Sequence, residues 1–244
     1  MGTSDAFSLA QRDPKHAAFQ LYAVTNEITT APIPDSLPFE QAVVLPLSIS
    51  TAAAGLYQKG YLELPYPTTD VTPSGKTILV WGGSSSVGSS TIQLAVASGL
   101  EVVSTSSAAN IEYVKALGAK HVFDHSDLKV VDEVVAVLKG TDFVGAYDAI
   151  SLPDTLQSTS QVVHKLGGGK LATVLVPSDS LPSDVTVLRG TSYTSPSLYL
   201  ALHSLTSSSS GSTRYSNRST ASWRSHMGKV YSGGVGQWPV PGET

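Results

Sequence analysis

The sequence predicts an α/β domain with a parallel sheet at its centre, on three observations. From Lys76 onward, short β-branched runs alternate with amphipathic stretches, which is how successive βαβ units look in sequence. A turn rich in glycine and serine, residues 82–88, joins the first of these strands to the first of these helices. The chain has 244 residues of which 41% are hydrophobic, enough apolar material for one substantial core with a small appendage.

Taken in order, Ala18 to Val24 reads as a strand and Pro32-Ile33-Pro34-Asp35 as a turn, because the prolines preset φ and forbid a continuing helix. A helix follows Pro38, which suits a first helical position, with Glu40 complementing the positive helix end and Ala42, Val43 and Leu45 as its apolar face. A second helix spans Ser50 to Gln58 despite the nearby Pro46. Pro65, Pro67 and Pro73 make Leu62 to Ser74 a loop. Five strands come next: Thr77 to Trp81, Glu101 to Thr105, His121 to Phe123, Phe143 to Ala149 and Lys170 to Val176. The helices between them centre near Gln93, Val114, Val134 and Leu156. Right-handed crossovers put the carboxyl ends of all five strands on one edge, where open α/β sheets bind ligands. Ser204 to Ser225 is so rich in serine and so poor in large apolar residues that it cannot repay its ordering entropy, and it is expected to be disordered.

The chemistry concentrates in Ile78-Leu79-Val80-Trp81-Gly82-Gly83-Ser84-Ser85-Ser86-Val87-Gly88. A buried strand leads into a turn of small residues, and a helix starts within it. This is the Rossmann-like arrangement in which glycines let the backbone approach a pyrophosphate, the helix N-terminus holds it, and Gly88 allows close helix-on-sheet contact. Ser84, Ser85 and Ser86 can add hydroxyl donors. At the end of the second strand, where an NAD site offers a carboxylate to the ribose, the chain reads Ser104-Thr105-Ser106-Ser107-Ala108-Ala109-Asn110. Hydroxyls and an amide there accept a 2′-phosphate without repelling it, which favours NADPH.

Other chemistries lack their residues. With no cysteine there is no disulfide framework and no thiolate-bound zinc, and the six histidines form no H-E-x-x-H pair, so no metal is expected. None of the ten tyrosines has a lysine four positions on, against a short-chain reductase. Gly82-Gly83-Ser84-Ser85-Ser86 lacks the last glycine of a hydrolase elbow. A net charge of −4 with no block of Lys or Arg disfavours nucleic acid. No signal sequence and no apolar run approaching ~18 residues is apparent, so a cytoplasmic protein without membrane contact is expected, and the sequon at Asn217 is a chance match. Gly233-Gly234-Val235-Gly236 has neither the strand nor the helix that a phosphate loop needs.

Residues 75–88, with Lys115-Ala116-Leu117-Gly118-Ala119, Val122-Phe123-Asp124 and Gly145-Ala146-Tyr147-Asp148-Ala149-Ile150, resemble the medium-chain dehydrogenase/reductase superfamily. The branch is the fungal one of zinc-binding-oxidoreductase (CipB-like) proteins and trans-enoyl reductases. Ile33-Pro34-Asp35, Leu45-Pro46-Leu47 and Ala52-Ala53-Ala54-Gly55-Leu56 also fit, so the likeness covers roughly residues 17–190. It implies that Gly83 to Val87 hold the pyrophosphate and that Ser107 and Asn110 meet the adenosine phosphate end. His125 falls where the family often has a tyrosine near the adenosine, and Thr51 and Ile150 would approach the nicotinamide. The resemblance further implies that residues 1–70 are the remnant of a GroES-like substrate domain with linking helices, 75–190 the NADPH-binding domain, and 191–244 an atypical tail in a truncated chain. The expected activity is NADPH-dependent hydride transfer to an activated double bond or carbonyl of a small molecule, of enoyl or quinone reductase type, in a monomer or homodimer. The alternative is a catalytically silent NADPH-binding or interaction protein. No catalytic residue is assigned.

Overall fold

Six strands join in one sheet: β1 Lys76–Trp81, β2 Glu101–Ser106, β3 His121–Asp124, β4 Asp142–Asp148, β5 Gly169–Thr173 and β6 Val185–Arg189. The computed structural model describes residues 14–17, 19–22, 24, 33, 38–68, 70–175 and 181–189. Every pairing is parallel and the order is β3-β2-β1-β4-β5-β6, the doubly wound order of a Rossmann fold. The five expected strands are all present. The sixth, Val185–Arg189, pairs with β5 and was not anticipated, because no helix-period stretch separates it from β5 in the sequence.

The helices are α1 Phe39–Ala42, α2 Leu45–Tyr57, α3 Ser86–Ala97, α4 Ile111–Ala116, α5 Val130–Leu138 and α6 Pro153–Lys165. Side chains alternate across the strands. Ile78, Val80 and Val102 face one way and pack with Ala53 and Leu56 of α2, Ile92 of α3 and Val114 of α4. Leu79, Trp81 and Val103 face the other way and pack with Val134 and Leu138 of α5 and Val162 and Val163 of α6. A strand buried on both faces needs apolar residues at consecutive positions, which is why β1 reads as an unbroken run. Each fully buried side chain of this size contributes about 1.5–3 kcal/mol.

Helix α2 begins at Leu45, earlier than the Ser50 expected, because Pro46 falls in its first turn, where a missing N–H costs nothing. The stretch Phe39–Tyr57 is apolar enough and, at 19 residues, long enough to pass for a membrane span, contrary to the expectation that no run came close. The reason is its role as a packing helix. Ser48 receives a hydrogen bond from Ser90 of α3 at 3.1 Å, and the Tyr57 hydroxyl reaches the Leu94 carbonyl at 3.1 Å and the Ser98 hydroxyl at 2.9 Å.

The strand expected over Ala18 to Val24 is absent from the described residues there. Phe19 to Tyr22 form a bend, and the Gln20 side-chain amide donates to the carbonyls of Lys15 at 2.7 Å and Ala17 at 2.6 Å. Among the described residues no neighbouring strand offers the ladder bonds that an extended segment requires, and the Gln20 side chain closes a local turn. The proline turn at residues 32–35, all but Ile33, and the serine-rich tail, the sequon and the glycine cluster near residue 234 lie outside the described residues.

Candidate dinucleotide site

The turn after β1 has one special backbone position. Gly82 has φ +79°, a conformation that favours glycine, and a Cβ there would also lie 2.5 Å from Cγ1 of Ile150. The amide of Gly82 donates to the Thr105 hydroxyl at 3.1 Å and that of Gly83 to the Thr105 carbonyl at 2.8 Å, so both are committed to β2. A side chain at Gly83 would strike the Ser104 hydroxyl and come within 2.8 Å of Ile92 and 2.9 Å of Val114, which makes this glycine a core-packing residue. At Gly88 a Cβ would collide with the Gly82 carbonyl oxygen, so the start of α3 presses directly on the turn.

The serines divide their work. Ser85 caps α3: its hydroxyl accepts from the Gly88 amide at 3.0 Å and donates to the Gly82 carbonyl at 2.8 Å. Its donor capacity is thereby used within the turn. Ser89 donates to the Gly83 carbonyl at 3.1 Å and meets the Tyr113 hydroxyl at 3.2 Å, linking α4 to the turn. Among the described residues, the amides of Ser84, Ser86 and Val87 have no hydrogen-bond partner. They stand with the hydroxyls of Ser84 and Ser86 at the positive end of a twelve-residue helix. That donor set fits a pyrophosphate.

At the carboxyl end of β2, Ser107 accepts from the Asn110 side chain at 3.1 Å, and the His125 amide donates to the Ser106 carbonyl at 2.9 Å. Ser107, Asn110 and His125 therefore share the edge formed by β2 and β3. No acidic residue lies in the loop from Ser107 to Asn110. The sequence reading missed Asp124, which pairs in register with Ser106. Its carboxylate is occupied by the Ser126 amide at 3.0 Å and hydroxyl at 2.8 Å, bonds that hold its pKa below the ordinary value.

On the other side of β1, the turn after β4 brings Ile150 against Gly82. The Tyr147 hydroxyl donates to the Thr51 carbonyl at 2.9 Å, tying α2 to β4, while the Thr51 hydroxyl donates to the Leu47 carbonyl at 2.7 Å. Tyr147 and Asp148 are both fully buried, and sequence reasoning gave neither a role. The signal was available in an acidic residue ending an apolar strand.

A glycine-serine turn and a free helix N-terminus on the middle strand of a doubly wound sheet, at the point where the strand order reverses, define a nucleotide-binding domain of dehydrogenase type. The chain matches the zinc-binding dehydrogenase family over residues 86–227 and belongs to it, within the NAD(P)-binding medium-chain dehydrogenase/reductase superfamily. It is 51% identical to trans-enoyl reductase himH of Aspergillus japonicus over 178 residues, which is 73% of this chain and 51% of that protein. It is 35% identical over 182 residues to zinc-binding alcohol dehydrogenase domain-containing protein cipB of Emericella nidulans, 75% of this chain and 49% of that one. Among solved structures, a quinone oxidoreductase of Pseudomonas syringae superposes with a TM-score of 0.53 at 26% identity, covering 68% of this chain and 50% of the other. The chain spans about half the length of the curated relatives it matches.

The family's description implies zinc, and the residues do not fit it. The chain has no cysteine, and among the described residues no group of three His, Asp or Glu side chains could hold a metal ion.

Proposed function

We propose that this chain is the NADPH-binding part of a reductase that acts on an activated carbon–carbon double bond or carbonyl of a small molecule. The observation that carries the reading is the trio of unengaged amides, Ser84, Ser86 and Val87, at the start of α3 beside a β2 end that bears hydroxyls. These amides hold the pyrophosphate. Ser107 and Asn110 receive the 2′-phosphate, and His125 borders the adenosine. Ile150 forms an apolar wall at the nicotinamide end, with Thr51 on its flank. NADPH, when bound, supplies the hydride. Relatives named as a trans-enoyl reductase and a quinone oxidoreductase support the choice of acceptor class. On this reading residues 75–190 form the cofactor domain, and residues 1–70 belong to the substrate side.

The test is a fluorescence titration of the purified chain with NADPH and, separately, NADH. Saturable binding about tenfold tighter for NADPH, ~1.4 kcal/mol, is the expected result. A folded sample that binds neither dinucleotide would overturn the reading. Turnover with enals, enoyl thioesters or quinones separates a working reductase from a silent binding protein.

A further inference from the structure

Asp148 ends β4 and is completely buried, yet its neighbours satisfy only half of its carboxyl group. Oδ1 accepts the amides of Ile150 at 2.9 Å and Ser151 at 2.8 Å. Oδ2 has no hydrogen-bond partner. The hydroxyls of Thr155 and Thr159 stand nearby but donate to the carbonyls of Leu152 at 3.0 Å and Thr155 at 2.7 Å. Burying a carboxyl group with an orphaned oxygen is costly, so an uncharged side chain would serve better if packing were its whole purpose.

The cost coincides with a constrained turn. Ser151 has φ +56°, unusual for a residue with a side chain. Its hydroxyl donates to the Asp148 carbonyl at 2.9 Å and accepts from the Val174 amide at 2.9 Å, so the turn is fastened to the chain leaving β5. The Ala149 amide donates to the Trp81 carbonyl at 3.0 Å, fastening the same turn to β1. What these bonds deliver is Ile150, whose Cγ1 and Cδ1 fill the space beside Gly82.

We propose that Asp148 is a positioning residue for the nicotinamide end of the cleft: through the amides of Ile150 and Ser151 its carboxyl group fixes the 148–151 turn and pins Ile150 against Gly82. The inference rests on the cofactor reading above. It adds a division of labour, in which the β1 turn holds the phosphates and Asp148 shapes the surface that receives the nicotinamide ring. Strain held by surrounding bonds at such a turn persists only where several contacts over-determine it, and here they come from β1, β4 and β5 together.

The experiment compares two ligands on the full chain: NADPH, and 2′-phospho-ADP-ribose, which keeps the phosphates and lacks the nicotinamide. Asp148→Ala is expected to weaken NADPH binding about tenfold and to leave the truncated ligand within about twofold. Asp148→Asn keeps an oxygen acceptor for both amides and is expected to restore NADPH affinity to within about threefold of the native chain. Should Asp148→Ala fail to fold, Ser151→Ala, which cuts the turn from β5, is expected to show the same selectivity with a loss of about threefold. Equal losses for both ligands, or none for either, would overturn the proposal, as would an Asp148→Asn chain as impaired as Asp148→Ala. A native chain that binds the truncated ligand as tightly as NADPH also overturns it while leaving the phosphate site standing. Binding of neither ligand removes the cofactor reading itself.

Discussion

The ring of Tyr147 on β4 occupies the space that a side chain at Gly55 on α2 would need, with Cζ 3.1 Å from where that Cβ would stand. The Tyr147 hydroxyl then donates to the Thr51 carbonyl one turn away. Glycine at 55 and tyrosine at 147 thus form a single contact that seats the α2 helix on the sheet beside the switch point.

Gly55→Ala is expected to destabilise the chain by about 1–3 kcal/mol, because a fully buried ring cannot yield without shifting the packing around it. Tyr147→Phe removes only the hydrogen bond and leaves the Thr51 carbonyl without its donor, a cost of about 1 kcal/mol. Thermal melts give the ranking, and a Gly55→Ala chain as stable as the native one would mean that α2 is free to move off β4.

Gly88→Ala places a methyl group on the Gly82 carbonyl oxygen, and backbone cannot swing aside as a side chain can. The turn must open, so NADPH affinity is expected to fall by about tenfold or more. Gly140→Ala is the control. Its φ of +86° makes it strained, at about 1 kcal/mol, but nothing lies within 4 Å and it is remote from the turn, so binding should persist. Isothermal titration of both variants checks the contrast.

Ser107→Asp puts a carboxylate at the carboxyl end of β2, the position from which an acidic residue engages a ribose hydroxyl and repels a 2′-phosphate. NADPH binding is expected to weaken by about tenfold or more while NADH binding holds or improves. If both dinucleotides respond alike, the discrimination lies elsewhere, and Asp124 beside Ser106 is the first place to look.

Burial drives the Asp148 carboxyl above its ordinary pKa, and the amides of Ser151 and Ile150 pull against that shift. With the folded value above the unfolded ~3.9, the native chain binds this proton more tightly than the unfolded chain does. Stability from this group is therefore full below ~4 and declines as pH rises towards the native pKa of Asp148, then stays level. In Asp148→Asn the titration is gone. The stability of this variant relative to the native chain should rise across that window and plateau above it, read from urea denaturation at a series of pH values. A difference that does not change with pH would show that Asp148 ionises in the native chain as it does in the unfolded one.

Much of this molecule was legible in local sequence. The β-branched runs and the helical periodicity between them fixed five strands, their parallel arrangement and the small-residue turn after β1, because those patterns reflect how each segment buries itself. Ser107 and Asn110 were read from their place after the second strand of the βαβ series and His125 and Ile150 from the family resemblance, and the structure puts all four at the carboxyl ends of β2, β3 and β4. The lone strand β6 escaped because the sequence between it and β5 shows no helical periodicity to mark a further unit. The strand expected near Ala18 failed because a strand needs a partner, and among the described residues none lies beside it.

What only the tertiary structure decided are the close approaches between distant segments. Sequence alone made Gly83 a glycine for a ligand; the fold sets it against Ser104, Ile92 and Val114 of three other elements. It made Ser84, Ser85 and Ser86 equivalent donors, whereas the cap bonds of Ser85 spend its hydroxyl and leave the amides of Ser84, Ser86 and Val87 unengaged. Asp148 stood inside the expected strand Phe143 to Ala149 with no role of its own, and only the turn folding back over it makes it a buried acceptor. Periodicity is a property of neighbours along the chain. Which atoms exclude a methyl group, and which donors remain unspent, depends on segments that meet only when the sheet has formed.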